Sequence, residues 1–292
     1  MSGRSGEWDR MRRVVATGET SRALPRLVAT DLDGTLVRSD GTVSAYTADV
    51  LAQLDDRGVH VVFVTGRPLR WARDVFSYVG SHGLAIVSNG ALVWDVAEER
   101  PWLERPMAPQ VSLEVARALR ETIPGIRFAV ETVEGWSMEP DYLRHHADDD
   151  RGFRPQRELP LDELVDAPVL KLLARGSGLD ADDFMAAAVA VVGDRVNVTH
   201  SSFPLLEISA LEVTKASTLA LIAEKLSVDA ADVVAFGDMP NDLPMLTWAG
   251  TSYAMADAHP TVLECATHVA PGHDEDGVAR VLAGVLAGVL DG

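Results

Sequence analysis

Short apolar runs alternate with amphipathic segments in the first part of this chain. Residues 27–30 and 59–64 are almost continuously apolar, as expected of parallel strands that are buried on both faces of a sheet. Residues 44–57 and 69–79 carry apolar side chains at helical spacing, and another apolar run follows at residues 84–87. This order of strand, helix, strand, helix, strand predicts a doubly wound parallel sheet.

The pattern changes between residues 96 and 205, where amphipathic strands are interleaved with helices. The predicted elements of this block are strands at 127–131, 135–138, 169–174 and 196–200 and helices at 111–122 and 181–191. Residues 144–158, which include the pair His145-His146, are polar and predict a loop. We therefore predict that residues 96–205 form a separate α+β domain, inserted into a core made of residues 27–95 and 206–292.

Regular α/β spacing resumes after residue 214. The predicted elements are a helix at 215–226, strands at 233–236, 251–255 and 268–270, and a closing helix at 277–290. Residues 1–26 have no apolar segment of the kind that a secretory signal requires. For them we expect a disordered tail, or a start codon assigned upstream of Met11.

Charge and cysteine content narrow the possible partners and compartment. The chain of 292 residues has a formal net charge of −18, which repels phosphate backbones and anionic lipids. We therefore expect neither a nucleic-acid nor a membrane partner, and the longest apolar run, residues 185–192, is too short to span a bilayer. The single Cys265 excludes an internal disulfide and fits a reducing cytosol. We expect a cytoplasmic protein that is a monomer or a homodimer.

Two carboxylates, Asp31 and Asp33, lie on one short turn directly after the first predicted strand. One could act as a nucleophile while the other moves a proton, and together they could hold a divalent cation. An EF-hand calcium loop is excluded, because the Gly and Glu that it requires are replaced by Leu36 and Thr42 when counting from Asp31. For this motif by itself, a purely structural turn stays open.

Four polar clusters follow apolar strands or begin a helix. They are Asp31 with Asp33, Thr65-Gly66-Arg67, Lys215, and Asp238 with Asn241 and Asp242. Because the carboxyl ends of parallel strands emerge at one edge of a sheet, the clusters are expected to converge on one cleft. Each has a structural alternative: the threonine and the later aspartates could cap helices, the lysine could be a surface residue, and the arginine could form an ion pair. Arg67 is given no catalytic role.

Taken together, the clusters supply the parts that phosphoryl transfer requires. Asp31 is the candidate nucleophile, which would form an aspartyl-phosphate, and Asp33 is the candidate acid and base. Asp31, the Asp33 backbone carbonyl and Asp238 offer the oxygen ligands that Mg²⁺ prefers. The candidate ligands of the remaining phosphoryl oxygens are Thr65, the Gly66 amide and Lys215.

These motifs resemble those of the haloacid dehalogenase-like superfamily of phosphohydrolases. The matching segments are Asp31-Leu32-Asp33-Gly34-Thr35-Leu36, Val64-Thr65-Gly66-Arg67, Lys215 and Gly237-Asp238-Met239-Pro240-Asn241-Asp242. Residues 236–246 and 264–279, with Ser88-Asn89-Gly90-Ala91, are similar to its Cof-like sugar-phosphatase branch. The resemblance implies an α/β protein with a Rossmann-like doubly wound core and an α+β cap domain inserted between the second and third motifs.

The resemblance also implies roles for individual residues. By this resemblance Asp31 is the nucleophile, Asp33 the acid and base, and Asp238 a magnesium ligand, while Asp242 orients metal-bound water. The implied metal site therefore comprises Asp31, Asp33, Asp238 and Asp242. The residues implied to contact phosphate are Thr65, Lys215 and Asn241. One departure is Ala216, which stands where the family often has Gly after the lysine.

The leading hypothesis is a Mg²⁺-dependent phosphatase of a small phosphorylated metabolite, with a sugar phosphate as the expected substrate. A sugar phosphomutase is the first alternative, and it would need a second cationic cluster in the cap. The cationic residues available there are Arg144, Arg151, Arg154, Arg157 and Lys171. A dehalogenase would leave Asp33 without a role, and a non-enzymatic phosphometabolite sensor would be expected to have lost a motif.

We expect the inserted domain to control substrate choice without supplying a catalytic residue, because every residue assigned to bond breaking lies outside it. Its hinges are predicted near Ala97 and Leu205. His200 and Ser201 could face the cleft. The adjacent His145 and His146 have no partner at zinc-site spacing, so they indicate a polar loop.

Overall fold

A computed structural model describes residues 24–76, 83–142, 154–176, 180–200 and 205–288. Of the tail predicted for residues 1–26, residues 1–23 lie outside the described residues. The pair His145-His146, Ser201 and the side chain of His200 also lie outside them.

The strands and helices follow the predicted alternation. The strands are β1 (Leu27–Asp31), β2 (His60–Val64), β3 (Leu84–Val87), β4 (Leu92–Asp95), β5 (Arg100–Glu104), β6 (Arg127–Glu131), β7 (Trp136–Met138), β8 (Lys171–Arg175), β9 (Val196–His200), β10 (Leu205–Ala210), β11 (Val233–Gly237), β12 (Thr251–Met255) and β13 (His268–Ala270). The helices are α1 (Ala45–Asp56), α2 (Leu69–Phe76), α3 (Pro109–Thr122), α4 (Leu161–Leu164), α5 (Ala181–Val192), α6 (Lys215–Lys225), α7 (Leu243–Trp248), α8 (Pro260–Cys265) and α9 (Gly277–Leu286).

Within the described residues, eight strands form the core sheet in the order β13-β12-β11-β1-β2-β3-β4-β5. The pairs from β13 to β3 are parallel, while β3–β4 and β4–β5 are antiparallel. The strand β1 is central, and all five of its residues are buried. The parallel, doubly wound core predicted from the apolar runs is confirmed, and its carboxyl edge carries the polar motifs.

The inserted domain contains a second, antiparallel sheet in the order β7-β6-β8-β10-β9. One face of this sheet packs on helices α3 and α5 through buried side chains such as Phe128, Leu172 and Leu206. Because side chains alternate along a strand, the residues between them lie on the opposite face. That face carries Glu131, Lys171 and Glu207, whose contacts with the core are described below.

The pairing of the strands places both domain boundaries at positions other than the predicted ones. Arg100–Glu104, placed in the inserted domain by the pattern, pairs with β4 at the edge of the core sheet. Leu205–Ala210, of which all but the first residue was placed in the core, lies in the cap sheet. The partly exposed edge strand β5 resembles an amphipathic cap strand, and the largely apolar β10 resembles a core strand, which explains both errors.

The chain therefore passes between the two sheets at residues 105–107 and 211–214, and not near Ala97 and Leu205. Arg105 links the two passages, because its guanidinium donates to the Glu212 carbonyl at 3.0 Å and to Thr218 Oγ1 at 2.7 Å. Among the described helices, none combines the length and the hydropathy needed to cross a membrane.

Candidate active site

A buried lysine joins two carboxylates at the carboxyl end of β1. Lys215 Nζ donates to Asp31 Oδ1 at 2.5 Å and to Asp242 Oδ1 at 2.7 Å. The exposed fractions of the three side chains are 3%, 6% and 0%. The interpretation of Lys215 as a solvated surface residue is therefore wrong. Burial lowers its pKa, but the two carboxylates outweigh burial and raise that pKa above its usual value, so the ammonium stays charged.

The first turn of α6 directs Lys215 into the site. Thr214 caps the helix by accepting from the Ser217 amide at 3.0 Å, and Ser217 Oγ accepts from the Thr214 amide at 3.1 Å. This reciprocal pair fixes the backbone immediately around the lysine. Ala216, which replaces a glycine of the family pattern, packs against the core. The departure from the pattern leaves the lysine correctly placed.

Asp242 contacts both Lys215 and the turn that follows β11. Its second oxygen, Oδ2, accepts from the backbone amides of Asp238 and Met239, each at 3.1 Å. Both carboxylate oxygens of Asp242 therefore have donors, and the residue is completely buried. These contacts hold Asp238 in place beside Asp31.

Asp238 is placed by the turn that carries Asp31. Thr35 Oγ1 donates to Asp238 Oδ1 at 3.2 Å. Gly34 adopts a φ of +77°, and a Cβ built there would lie 2.3 Å from Asp238 Oδ2. Glycine therefore meets two needs at this position, a left-handed backbone and a close approach of the carboxylate.

The acidic cluster fits a divalent cation. Asp31, Asp238 and Asp242 each offer a carboxylate oxygen, and these atoms lie within 4.8 Å of one another. Burial raises the pKa of Asp238 to about 6, with a further contribution from Asp242. Burial also raises the pKa of Asp31, aided by both neighbouring carboxylates and opposed by Lys215. Concentrated negative charge of this kind is relieved by a cation, and oxygen ligands suit Mg²⁺.

The second motif forms a tight turn after β2, supported by the residues that follow β3. Thr65 is buried, and its Oγ1 accepts from the Arg67 amide at 3.0 Å. The Thr65 carbonyl accepts from the Asn89 amide at 3.1 Å, and the Arg67 carbonyl accepts from the Ser88 amide at 2.9 Å. Ser88 and Asn89 both have positive φ, 51° and 57°, which is uncommon for residues other than glycine and marks a strained support.

Asp33 lies at the exposed side of the site in an ion pair with Arg67. The Arg67 Nε donates to Asp33 Oδ2 at 2.7 Å, and a second guanidinium nitrogen donates to Asp33 Oδ1. The Asp33 side chain is 55% exposed, whereas that of Arg67 is 13% exposed. The ion-pair alternative for Arg67 is thus confirmed, and the arginine orients the candidate acid and base.

Asn241 lies next to Asp242 on the 3-10 turn Pro240–Asp242 with an exposed side chain, outside the hydrogen bonds described above, and its contact with phosphate stays a prediction. The remaining predicted residues meet at the carboxyl edge of the core sheet, as expected. They are Asp31, Asp33, Thr65, Gly66, Lys215, Asp238 and Asp242.

Two charged cap residues reach the second motif and the residues after β3 that support it, and sequence reasoning missed their role. Lys171 Nζ donates to the Gly66 carbonyl at 3.0 Å and lies 3.3 Å from Glu207 Oε2. The same glutamate oxygen accepts from Asn89 Nδ2 at 2.7 Å. Lys171 is 1% exposed, so this is a buried polar contact between cap and core.

A third cap residue, Glu131, contacts the same region. Its Oε1 accepts from Arg70 at 3.1 Å, and its Oε2 accepts from Ser88 Oγ at 3.1 Å. The signal that could have identified Lys171 and Glu207 is a single charge inside an otherwise apolar strand, as in residues 169–174 and 205–210. A buried charge requires a partner, and here the partners belong to the core or to a neighbouring strand.

Comparison with known proteins agrees with these motifs. A family model described as haloacid dehalogenase-like hydrolase matches residues 28–282. The chain is 28% identical over 258 residues to the 5-amino-6-(5-phospho-D-ribitylamino)uracil phosphatase YcsE of Bacillus subtilis, covering 88% of this chain and 94% of the relative. It is 30% identical over 238 residues to the HMP-PP phosphatase of Yersinia pestis (strain Pestoides F), covering 80% of this chain and 85% of the relative.

Solved structures show the same architecture. TM0651 from Thermotoga maritima is 26% identical, with a TM-score of 0.73, and the match covers 89% of this chain and 97% of that one. SMU.1108c from Streptococcus mutans has a TM-score of 0.78 at 22% identity, covers 91% of this chain and all of the other, and shares the fold. The resemblance to the Cof-like branch drawn from the motifs is confirmed. Because the family model spans most of the chain and the motifs converge as described, this chain belongs to the haloacid dehalogenase-like hydrolase family.

Proposed function

We propose that this protein is a Mg²⁺-dependent phosphatase that hydrolyses a small phosphorylated metabolite through an aspartyl-phosphate. The observation that carries the proposal is the buried Asp31 carboxylate, held by Lys215 beside Asp238 at the carboxyl edge of the core sheet. Relatives that are named phosphatases match 80% of the chain or more, which supports the general activity.

Two carboxylates, Asp31 and Asp33, carry out the proposed reaction. Asp31 attacks phosphorus, so an Asp31–phosphorus bond forms while the bond to the leaving oxygen breaks. Asp33 gives its proton to that oxygen. It then accepts a proton from the water that attacks phosphorus and releases the Asp31 carboxylate. The exposed position of Asp33 suits a group that meets both the leaving alcohol and water, and Arg67 fixes its orientation.

Asp31, Asp238 and the backbone carbonyl of Asp33 are the residues that would hold Mg²⁺. When bound, the metal supplies positive charge that offsets the repulsion between the carboxylate and the phosphate. Asp242 acts mainly by positioning, because its oxygens already accept from Lys215 and from two backbone amides. Its sequence-based inclusion in the metal site stays a prediction.

The phosphate group is proposed to lie between Lys215 and the second motif. Lys215 supplies a permanent buried cation, and Thr65 with the Gly66 amide supplies neutral donors. Asn241, on its exposed turn, is proposed to contact phosphate from the rim of the cleft.

A sugar phosphate remains the proposed substrate class. A sugar phosphomutase would need a second cationic cluster in the cap, but Lys171 is paired with Glu207 and Arg157 with Asp166. Among the described members of that set this leaves the exposed Arg154, which by itself is not a cluster. Arg144 and Arg151 lie outside the described residues. A phosphometabolite sensor is disfavoured because every motif is present. The strongly acidic charge supports a small-molecule partner, and the free Cys265 supports the cytoplasm as the proposed compartment.

The test is Asp31→Asn, which preserves shape but removes the attacking anion. We expect turnover of p-nitrophenyl phosphate to fall about 1,000-fold or more while the fold stays intact. Asp162→Asn on the exposed surface of the cap is the matched control and should leave turnover unchanged. Chelator should silence the wild type and Mg²⁺ should restore it, whereas Ca²⁺ should inhibit. Near-normal turnover by the Asp31 variant, or full activity in excess chelator, would contradict the proposal.

A further inference from the structure

Arg105 lies on the first passage between the two sheets, and its guanidinium binds three groups on the second passage and on α6. Both N–H groups of its Nη1 are used, one for Ser217 Oγ and one for Thr218 Oγ1, each at 2.7 Å. Its Nη2 donates to the Glu212 carbonyl at 3.0 Å. Within the described residues, every acceptor of this guanidinium is an uncharged oxygen atom. The planar, fixed set of donors is therefore the property of arginine that this position uses.

These acceptors enclose the start of the helix that carries Lys215. Ser217 Oγ already accepts from the Thr214 amide at 3.1 Å and donates to the Glu212 carbonyl at 2.6 Å. Arg105 supplies the second hydrogen bond that this oxygen can accept. The guanidinium thus binds the chain on both sides of the lysine, at Glu212 before it and at Ser217 after it.

The same guanidinium is connected to the support of the second motif. Thr218 is completely buried, and its Oγ1 accepts from Arg105 and donates to the Gly90 carbonyl at 2.8 Å. The backbone amide of Arg105 donates to the Ala91 carbonyl at 2.8 Å. Gly90 has a φ of +110°, and a Cβ there would lie 2.4 Å from the Thr214 carbonyl oxygen. The start of α6 and the turn after β3 are therefore in direct contact, and Arg105 binds both.

The cap holds the same stretch of chain from its other side. The Val213 carbonyl accepts from Asn197 Nδ2, on the cap strand β9, at 3.0 Å. Val213 lies between the Glu212 carbonyl that Arg105 binds and the cap of α6. A displacement of the cap sheet would consequently act on the chain two positions before Lys215. Arg105, which directly follows the core strand β5, is placed to oppose it.

We propose that Arg105 is a positioning residue for Lys215. It holds the start of α6 against the support of the second motif, so that the two groups assigned to phosphate keep a fixed separation. Arg105 does not itself touch phosphate, because its donors are directed to the helix start and to the second passage. This inference rests on the proposed function, in which Lys215 and the turn of the second motif bind the phosphate group.

Arg105→Ala tests the inference through binding constants. The KM for p-nitrophenyl phosphate and the inhibition constant of inorganic phosphate should each rise about tenfold, as expected for one weakened hydrogen bond to phosphate. A loss of folded protein alone would lower kcat and leave both constants unchanged. Arg57→Ala is the matched control, because Arg57 on α1 also donates to a carbonyl of a distant element, Leu286 of α9, at 3.0 Å. It should change neither constant. Unchanged constants in the Arg105 variant would overturn the inference.

Free guanidinium ion can take the place of the missing side chain. At about 10 mM, far below denaturing concentrations, it should restore much of the phosphate affinity of Arg105→Ala and leave Arg57→Ala unaffected. Equal recovery with sodium chloride at the same ionic strength would contradict the inference. Arg105→Lys keeps the charge but has a single donor nitrogen, so an intermediate loss is expected. This variant provides the test if the alanine variant does not fold.

Binding of inorganic phosphate separates this inference from the proposed function. Calorimetry with inorganic phosphate, in the presence of Mg²⁺, needs no turnover. If the wild type hydrolyses no ester, the phosphatase proposal fails. Phosphate binding that Arg105→Ala weakens about tenfold and Arg57→Ala leaves unchanged would still support the positioning role. Equal binding by the two variants, or absence of binding by the wild type, would overturn it.

Discussion

At the scale of single residues, the site depends on buried ion pairs. Lys215 lies between Asp31 and Asp242, and removing the lysine would leave two buried carboxylates without their cation. Breaking a buried pair in this way is far more costly than losing a surface pair. The lysine therefore contributes to the integrity of the site, in addition to its proposed role in phosphate binding.

Gly34→Ala tests the close approach of Asp238 to the first motif. The new Cβ would overlap Asp238 Oδ2, so the carboxylate must move and metal binding should weaken. We expect the Mg²⁺ concentration for half-maximal activity to rise about tenfold or more. Gly41→Ala is a matched control, because Gly41 has a φ of +82° but nothing within 4 Å of its Cβ position. Equal Mg²⁺ requirements for both variants would show that backbone strain alone is responsible.

At the scale of secondary structure, the first turn of α6 positions Lys215. Isolated first turns have unsatisfied amides, and the Thr214–Ser217 pair satisfies two of them directly at the lysine. The strand β1 fulfils the same purpose for Asp31, because its buried backbone is held on both sides by β2 and β11. Asp31 and Lys215 thus both extend from rigid elements.

Thr214→Ala tests this arrangement. Loss of the cap should lower the free energy of unfolding by about 1 kcal/mol, and the freed first turn should weaken inhibition by inorganic phosphate several-fold. Ser44→Ala removes a comparable cap from α1, which carries no site residue. It should cost similar stability, measured by denaturant unfolding, without changing the phosphate inhibition constant. If both variants bind phosphate equally well, the cap has no role in placing the lysine.

At the scale of the whole molecule, buried polar contacts connect the cap to the turn of the second motif and to the residues that support it. Glu131, Lys171 and Glu207 come from the neighbouring cap strands β6, β8 and β10, and all reach the second motif or the Ser88–Asn89 support. Polar contacts of this kind can be exchanged for water when the domains separate. They therefore suit a cap that must release product.

Lys171→Met tests this contact between the domains. The Gly66 carbonyl loses its donor and Glu207 its cation, so the docked arrangement of the cap should be less stable. We expect kcat/KM for p-nitrophenyl phosphate to fall about tenfold, and amide hydrogen exchange in residues 65–67 to become faster. Arg117→Met breaks an exposed ion pair with Asp162 on the cap and should change neither, since surface pairs contribute little. Unchanged exchange in the Lys171 variant would exclude the coupling.

The sequence by itself determined the core and its motifs, because both rest on local patterns. Buried parallel strands need apolar runs, and the polar residues that follow them must meet at one edge of the sheet. This is why Asp31, Lys215 and Asp238 could be placed together from residues far apart in the chain. The domain boundaries were missed, because β5 and β10 have patterns that suit either sheet.

Only the tertiary structure shows which cap residues contact the motifs at the carboxyl edge of the core sheet. Lys171 and Glu207 are single charges in apolar strands, and nothing local shows that one of them reaches the Gly66 carbonyl and the other Asn89. The contact between Glu131 and Ser88 likewise becomes visible only when the cap sheet is docked on the core. Local patterns determine which face of a strand is buried, whereas the partner of a buried charge depends on which distant surface is packed against it.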